Sequence, residues 1–188
     1  HSVLAARARA DFYAAELGGE KIIVHSYGKL SGDASEMNER AIYAGRGKQH
    51  LDFFYHIDHV GKKTKAEIDL KGALADESKK IFRGTLDFKR GCAGSVGDEG
   101  DFAIQLDPKT KNISLPLLLC TEDDVQGNHA SSAGQLDQNT IYFLMSRGFT
   151  LEEARRIVVE ALIRPIIDGM DETIREDVLT AAREKLDR

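Results

Sequence analysis

Cys120 and His129 are the side chains in this sequence best suited to bind a transition metal, and three acidic residues at 122–124 lie between them. Thiolate and imidazole groups bind zinc, iron and copper. The spacing of nine residues matches no standard zinc finger. The alternative is structural: Cys120 ends an apolar strand as a small buried residue, the acids form a solvated turn, and His129 is an ordinary polar residue.

Cys92 is the second thiol, and it lies in the glycine-rich stretch GCAGSVGDEG at 91–100, which favours a loop or a bulged crossing. Lys89 and Arg90 precede it, and nearby cations lower the pKa of a thiol and favour the reactive thiolate. Cys92 is therefore a candidate reactive thiol, with an ordinary loop cysteine as the alternative.

A third set of polar residues is spaced so that its members would lie on one face of a strand. Its members are His50, Asp52, His56 and Asp58. On one face of a strand these side chains offer ligands for a divalent metal. A polar outer face on a half-buried strand explains them more simply.

Composition excludes several classes of function. The 188 residues carry a net charge of −5 with basic and acidic residues interspersed, which argues against a nucleic-acid partner. No apolar run is long enough to cross a membrane and no signal peptide is evident, so we predict a cytoplasmic protein whose cysteines remain thiols. The phosphate-loop, nucleophile-elbow and zinc-protease motifs are missing, so no common enzyme signature supports catalysis.

The spacing of apolar residues changes along the chain, and it predicts which elements position these side chains. Residues 1–17 favour helix by local propensity, although alternation also permits a strand. From Lys21 to Cys120 apolar residues alternate between glycine-containing turns, which predicts many short strands in a sandwich, barrel or solenoid. Pro116 predicts an edge or corner position because it has no backbone N–H. The alternating apolar sets near the end of this region are Phe102, Ile104 and Leu106, then Ile113, Leu115, Leu117 and Leu119.

Beyond Gly134 the period becomes helical. Asp137 is a candidate N-cap for a first helix, and Thr150 with Glu153 forms a capping box for a second. Pro165 is expected to stop or bend that second helix, and Asp171 to cap a third. The sequence thus predicts a β body followed by a helical appendage.

Three segments identify a family resemblance. YHIDHVGKKTKAEIDLKGAL at 55–74, SKKIFRGTLDF at 78–88 and EDDVQGNHASSAGQLDQNTIYFLMSRGFTLEEA at 122–154 resemble the SufB/SufD family of the SUF iron–sulfur cluster assembly system. The last segment is most similar to SufD-type chains. The resemblance implies a scaffold rather than an enzyme, with a mainly β fold: a right-handed parallel β-helix core over residues 1–133 and a small C-terminal α-helical domain over 134–188. It also implies that residues 1–17 are strand, against their propensity.

The resemblance further implies partners. A SufC-type ABC ATPase would dock on the helices at 151–164 and 171–188, a SufB-type scaffold would pair with the β-helix, and the isolated chain is a possible homodimer. ATP binding by the ATPase would rearrange the helices and align ligands at the paired interface. The alternative is a subunit that only braces the complex. A carbohydrate-active β-helix enzyme would instead need paired carboxylates in a cleft, which the sequence does not place.

The resemblance also assigns the site. His129 matches the family histidine at the SufB–SufD interface and is the candidate iron ligand, while Cys92 lies near the SufB-type interface cysteine without aligning cleanly. The implied cofactor is a transient iron–sulfur cluster, held by His129, Cys92 and Cys120 as candidate ligands, with none tightly bound. The flanking residues Gly127, Asn128 and Ala130 depart from both branches of the family.

Overall fold

The chain coils into a parallel β-helix with one strand from each turn in each of two sheets. The computed structural model describes residues 1–187. The strands are β1 Ser2–Leu4, β2 Arg9–Glu16, β3 Lys21–Leu30, β4 Glu36–Gly45, β5 His50–His59, β6 Lys65–Leu74, β7 Lys79–Phe88, β8 Ser95–Gln105, β9 Lys111–Cys120 and β10 Val125–Gln135. Sheet A has the order β1-β3-β5-β7-β9 and sheet B the order β10-β8-β6-β4-β2, and all their pairings are parallel. This confirms the predicted fold class.

From the first turn to β7, the core is the apolar lumen between the sheets. Alternate residues of each strand face inward, and register stacks them in columns, such as Phe53, Phe82 and their neighbours in sheet A. Both phenylalanines are fully buried. Each such side chain contributes about 1.5–3 kcal/mol relative to exposure, so the lumen stabilises the solenoid without identical repeats.

The first residues are strand and not helix, as the resemblance implied. β1 pairs with β3 and β2 pairs with β4, so tertiary pairing overrides the helix propensity of the alanines and arginines. The turn between them passes through Arg7 with a positive φ of 60°, and the Arg7 N–H donates to the Asp33 carbonyl of the next turn at 2.9 Å.

In the last two turns the side-chain polarity is reversed. On β8, Glu99 and Asp101 face the lumen, while Phe102 and Ile104 face outward. On β9 the apolar alternate residues are outside, with exposed fractions of 45, 53, 48 and 39% at Ile113, Leu115, Leu117 and Leu119. The predicted apolar sets do share one face, but it is the outer face. Alternation alone does not say which face is inside; the register with the preceding strand decides it.

Two local predictions near this end have different outcomes. Residues 91–100 are not one loop, because β8 begins at Ser95 after a short turn. Its glycines fit close packing: a Cβ at Gly97 would lie 3.0 Å from the Phe88 ring. Pro116 lies in β9, the outermost strand of sheet A, so its predicted edge position is confirmed.

Three helices follow: α1 Gln138–Ser146, α2 Leu151–Asp168 and α3 Glu172–Asp187. Asp137 caps α1, Thr150 and Glu153 form the capping box of α2, and Asp171 accepts the Thr173 backbone N–H at 2.9 Å at the start of α3, as predicted. Pro165 does not stop α2.

Packing explains why α2 continues through its proline. A buried cluster joins α2 and α3 to the outer face of sheet B, and this contact outweighs the one helical hydrogen bond that a proline cannot make.

β10 continues to Gln135 and so crosses the predicted division between residues 133 and 134. Arg188, the end of the predicted ATPase-facing element, lies outside the described residues. Within 1–187, no helix is long and apolar enough to span a membrane. The buried cluster that joins α2 and α3 to sheet B consists of Ile42, Ile163, Ile166, Ile167, Met170, Leu179 and Ala182.

Candidate functional site

His129 lies at the open end of the solenoid. It is in β10, the outermost strand of sheet B, where its side chain is exposed and its register partner on β8 is Glu99. Gly127 helps seat this strand, because a Cβ there would lie 3.1 Å from the Phe88 ring. The next residue, Asn128, faces outward and donates to Asp98 at 2.8 Å. His129 therefore lies on the inner face of the last turn, in register with the buried Glu99 of the turn before.

Glu99 is a buried carboxyl group that sequence patterns did not single out. It is 3% exposed, and within the described chain no side chain hydrogen-bonds its carboxyl oxygens, whereas the backbone N–H of Leu117 lies close enough to favour the ionised form. Burial, with the neighbouring Asp101 charge, raises its pKa from 4.5 to about 8. Its carboxyl group crosses the lumen to sheet A and contacts the backbone of Gly84, where any larger residue would fill the space. The group is therefore protonated through most of the neutral range.

A buried ion pair lies beside Glu99. The Lys80 ammonium is fully buried, contacts the Asp101 carboxylate, and donates to the Tyr43 hydroxyl at 3.0 Å. Burial lowers the pKa of Lys80, and the Asp101 charge opposes that change. Removing one partner of such a pair typically costs about 3–5 kcal/mol. The alternation of Lys80, Phe82 and Gly84 on one strand face was the signal that this lysine points inward.

Cys92 differs from its sequence prediction. It is fully buried in the turn before β8, and burial raises the pKa of its thiol, although a hydrogen bond with Ser95 works in the opposite direction. The predicted lowering by nearby cations is wrong because Lys89 contacts Asp87 and lies 3.5 Å from Asp58 instead. A ligand role for Cys92 stays a prediction.

Cys120 is the last residue of β9, and it is exposed rather than buried. Both cysteines are free. Among residues 1–187, the only group of three potential metal-binding side chains within 4.8 Å contains neither cysteine, nor His129. The solenoid therefore places one exposed thiol and one exposed imidazole on its last turn, in different sheets, and keeps the second thiol inside.

That group is His56, Asp58 and Asp87 on the outer face of sheet A. Asp58 contacts the Tyr27 hydroxyl, and its other oxygen lies 3.0 Å from His56 Nε2. Burial alone would raise the pKa of Asp58, but these hydrogen bonds and Lys89 lower it overall. The predicted shared face is confirmed for His50, Asp52, His56 and Asp58, which all lie on the outer face of β5. Protein groups already satisfy the Asp58 carboxylate, so a structural network accounts for it.

Comparison with known proteins gives a consistent result. A family model described as "SUF system FeS cluster assembly, SufBD core domain" matches residues 1–162. The chain is 30% identical to the iron–sulfur cluster assembly protein SufD of Bacillus subtilis over 84% of its length, and 26% identical to SufB of that organism over 65%. An iron–sulfur cluster assembly SufBD family protein of Mycobacterium leprae is 26% identical over 99%.

The chain is shorter than these relatives. The matches cover 36% of the Bacillus SufD, 26% of the Bacillus SufB and 50% of the Mycobacterium leprae protein. The region that the family model matches includes the β-helix, α1 and the first part of α2.

Proposed function

This chain belongs to the SufB/SufD family of the SUF iron–sulfur cluster assembly system, and we propose that it serves there as a scaffold subunit and not as an enzyme. The observation that carries the proposal is the reversed polarity of the last turn, which combines an exposed apolar row with His129 at an open strand edge. The cytoplasmic location stays a prediction.

A SufB-type partner would pair with the free edges of β9 and β10. These strands end their sheets and leave one row of backbone groups without a neighbouring strand. An unpaired edge favours strand addition, and the exposed apolar row on β9 adds a surface that water disfavours. In the absence of that partner, the same edges would support a homodimer of the isolated chain.

A SufC-type ATPase would dock on the helical part. Apolar residues on α1 and at the start of α2 are exposed, led by Tyr142 at 77%. The apolar faces of α2 and α3 instead pack on sheet B. The docking surface we propose is therefore centred on α1 and the turn after it, and comprises Tyr142, Phe143, Met145, Phe149 and Leu151.

The connection between α1 and β10 gives a route from the ATPase to the site. Only Leu136 and Asp137 separate the end of β10 from α1. A displacement of α1 would therefore act directly on the outermost strand of sheet B, which carries His129. In this proposal, ATP binding by the partner moves the helices and aligns His129 with thiolates at the paired edge. The iron–sulfur cluster is transient cargo there, with imidazole and thiolate as its ligands.

The test is anaerobic co-purification of the chain with a SufB-type scaffold and a SufC-type ATPase from the same organism, followed by iron and sulfide quantification. Leu117→Lys places a charge in the apolar row and should abolish recovery of the SufB-type partner. Ile23→Lys is the matched control, because Ile23 is also exposed on the outer face of sheet A but lies at the other end of the solenoid. His129→Ala should form the complex and lose cluster loading.

Two results would contradict the proposal. Recovery of all three proteins with unchanged loading in His129→Ala would leave a subunit that only braces the complex, an alternative that the buried Cys92 favours. Equal loss of partner with Ile23→Lys and Leu117→Lys would show that the last turn is not the pairing surface.

A further inference from the structure

Four lysines line one groove at a corner of the solenoid, although the chain as a whole is acidic. The groove has a volume of about 480 Å³, and its walls are Lys48, Glu77, Lys79, Lys109 and Lys111, which are all exposed. Four positive charges and one negative charge leave an excess of three positive charges there, in a chain whose net charge is −5. The groove is therefore a local concentration of cations.

Strand register brings two of these lysines side by side. Lys79 is the first residue of β7 and Lys111 is the first residue of β9, and the two are register partners in sheet A. Adjacent strands lie about 4.8 Å apart, and like charges directly opposite each other destabilise a sheet. Lys48 comes from the turn before β5 and Lys109 from the turn before β9. Three successive turns of the solenoid thus place cations at the same corner.

The acidic side chains at this corner are engaged by other groups and leave most of the lysines unneutralised. The Glu77 carboxylate lies 3.2 Å from the Lys109 ammonium. Asp76 and Asp107 each accept a backbone N–H of the preceding turn, at 2.8 and 2.7 Å. Within residues 1–187, three lysines of the groove form no ion pair, namely Lys48, Lys79 and Lys111.

The side chains of the groove define the class of ligand. An anion relieves the repulsion between clustered ammonium groups. No aromatic side chain lines the groove for a nucleic-acid base to stack on, and no arginine lines it to bind phosphate in a bidentate manner. Carboxylates on an extended chain can each approach a different lysine, because the ammonium is a point charge on a flexible stem. We propose that this groove binds an acidic segment of a partner protein.

The position of the groove connects it with the free edge of sheet A. Lys111 begins β9, which is the outermost strand of that sheet, and Lys109 precedes it in the adjoining turn. A chain that pairs with the β9 edge would therefore have its own residues next to the groove. The inference rests on the proposed function only in assigning the acidic segment to the SufB-type partner.

The experiment measures the binding of a fluorescently labelled oligoglutamate peptide to the full chain by fluorescence anisotropy at low salt. We expect saturable binding that an oligoglutamine peptide of equal length does not show. The double variant Lys79→Gln/Lys111→Gln should bind about tenfold more weakly, since each exposed ion pair contributes about threefold. Lys62→Gln/Lys65→Gln is the matched control, because it removes the same charge from exposed lysines at the opposite corner of the solenoid. It should change the affinity by less than about twofold.

Thermal unfolding gives a second measurement on the same proteins. A ligand that binds only the folded chain stabilises it, so oligoglutamate should raise the Tm of the wild type more than that of Lys79→Gln/Lys111→Gln. The proposal is overturned if oligoglutamate does not bind, or if the two double variants have the same affinity. Tighter binding of an oligothymidylate of equal charge would assign the groove to nucleic acid instead.

Complex formation tests the identity of the partner separately. In co-purification, Lys79→Gln/Lys111→Gln should recover less of the SufB-type partner than Lys62→Gln/Lys65→Gln does. Equal recovery with the two variants would overturn the assignment of the acidic segment to that partner. The peptide measurements need no partner protein, so their failure is distinct from a failure of the proposed function.

Discussion

Replacing Glu99 with glutamine is expected to stabilise the chain at neutral and alkaline pH and to change its stability little at pH 4. An unfolded glutamate ionises near pH 4.5, whereas burial keeps the folded Glu99 protonated until about pH 8. Between these values the unfolded chain has lost the proton and the folded chain has kept it. Raising the pH therefore favours unfolding, and the contribution of Glu99 to stability is largest below pH 4.5.

The size of the effect follows from the two pKa values. A tenfold difference in proton affinity corresponds to about 1.4 kcal/mol. The wild-type chain should therefore lose about 3 kcal/mol of stability from this group by pH 7, and about 5 kcal/mol above pH 8. Glutamine has nearly the same shape as a protonated glutamate and does not titrate, so the variant should keep the stability that the wild type loses as the pH rises.

The assay is urea unfolding monitored by circular dichroism from pH 4 to pH 9, with a chelator present to remove divalent cations. The difference in unfolding free energy between wild type and Glu99→Gln isolates the titration of Glu99. His59, whose pKa burial lowers to about 4, destabilises both proteins as the pH falls from 6.5, so its effect cancels. The charge of Asp101 adds to the burial that raises the pKa of Glu99, and the Leu117 backbone N–H opposes it.

The reasoning would be refuted if the difference in unfolding free energy between wild type and Glu99→Gln did not change with pH. Glu99 would then titrate alike in the folded and unfolded chains. Asp98→Asn is the control for a general effect of removing one negative charge. Because Asp98 is exposed, that variant should follow the wild type throughout.

Two further predictions concern neighbouring parts of the site. Gly84→Ala places a methyl group against the Glu99 carboxyl and should lower the free energy of unfolding in urea by about 1–3 kcal/mol. Gly18→Ala is the control, because open space surrounds Gly18, and it should change the free energy of unfolding by less than about 0.5 kcal/mol. Similar losses in both variants would contradict the packing argument. Iodoacetamide should modify the exposed Cys120 in the native chain and Cys92 only after unfolding, as followed by mass spectrometry; equal native rates would contradict the burial of Cys92.

The β-helix was predictable mainly through family resemblance, because local signals were ambiguous. Alternation from Lys21 onward predicts strands, but it does not distinguish a solenoid from a sandwich, since both bury one face of each strand. The first residues show the limit most clearly: their propensity favours helix, and only pairing with β3 and β4 makes them strand. The helix caps were predictable because the capping residues act locally.

The site was predictable only in part. The sequence identified His129 by resemblance, and the structure places this residue on the outermost strand of sheet B. It missed Glu99 and Lys80, since charged residues in a strand pattern are normally assigned to the outer face. The reversed side-chain polarity of the last turns depends on their register with earlier turns, which local patterns do not contain.

The reversed polarity of the last turn has a consequence for the local dynamics of the chain. β9 and β10 bury little apolar surface of their own, so their amides should exchange with solvent through local opening more readily than those of the inner turns. A bound partner would protect this turn by mass action, by about 2.7 kcal/mol at a hundred times its dissociation constant. Assembly would therefore protect the last turn from local opening, and proteases would cleave subunits without a partner more readily than assembled ones.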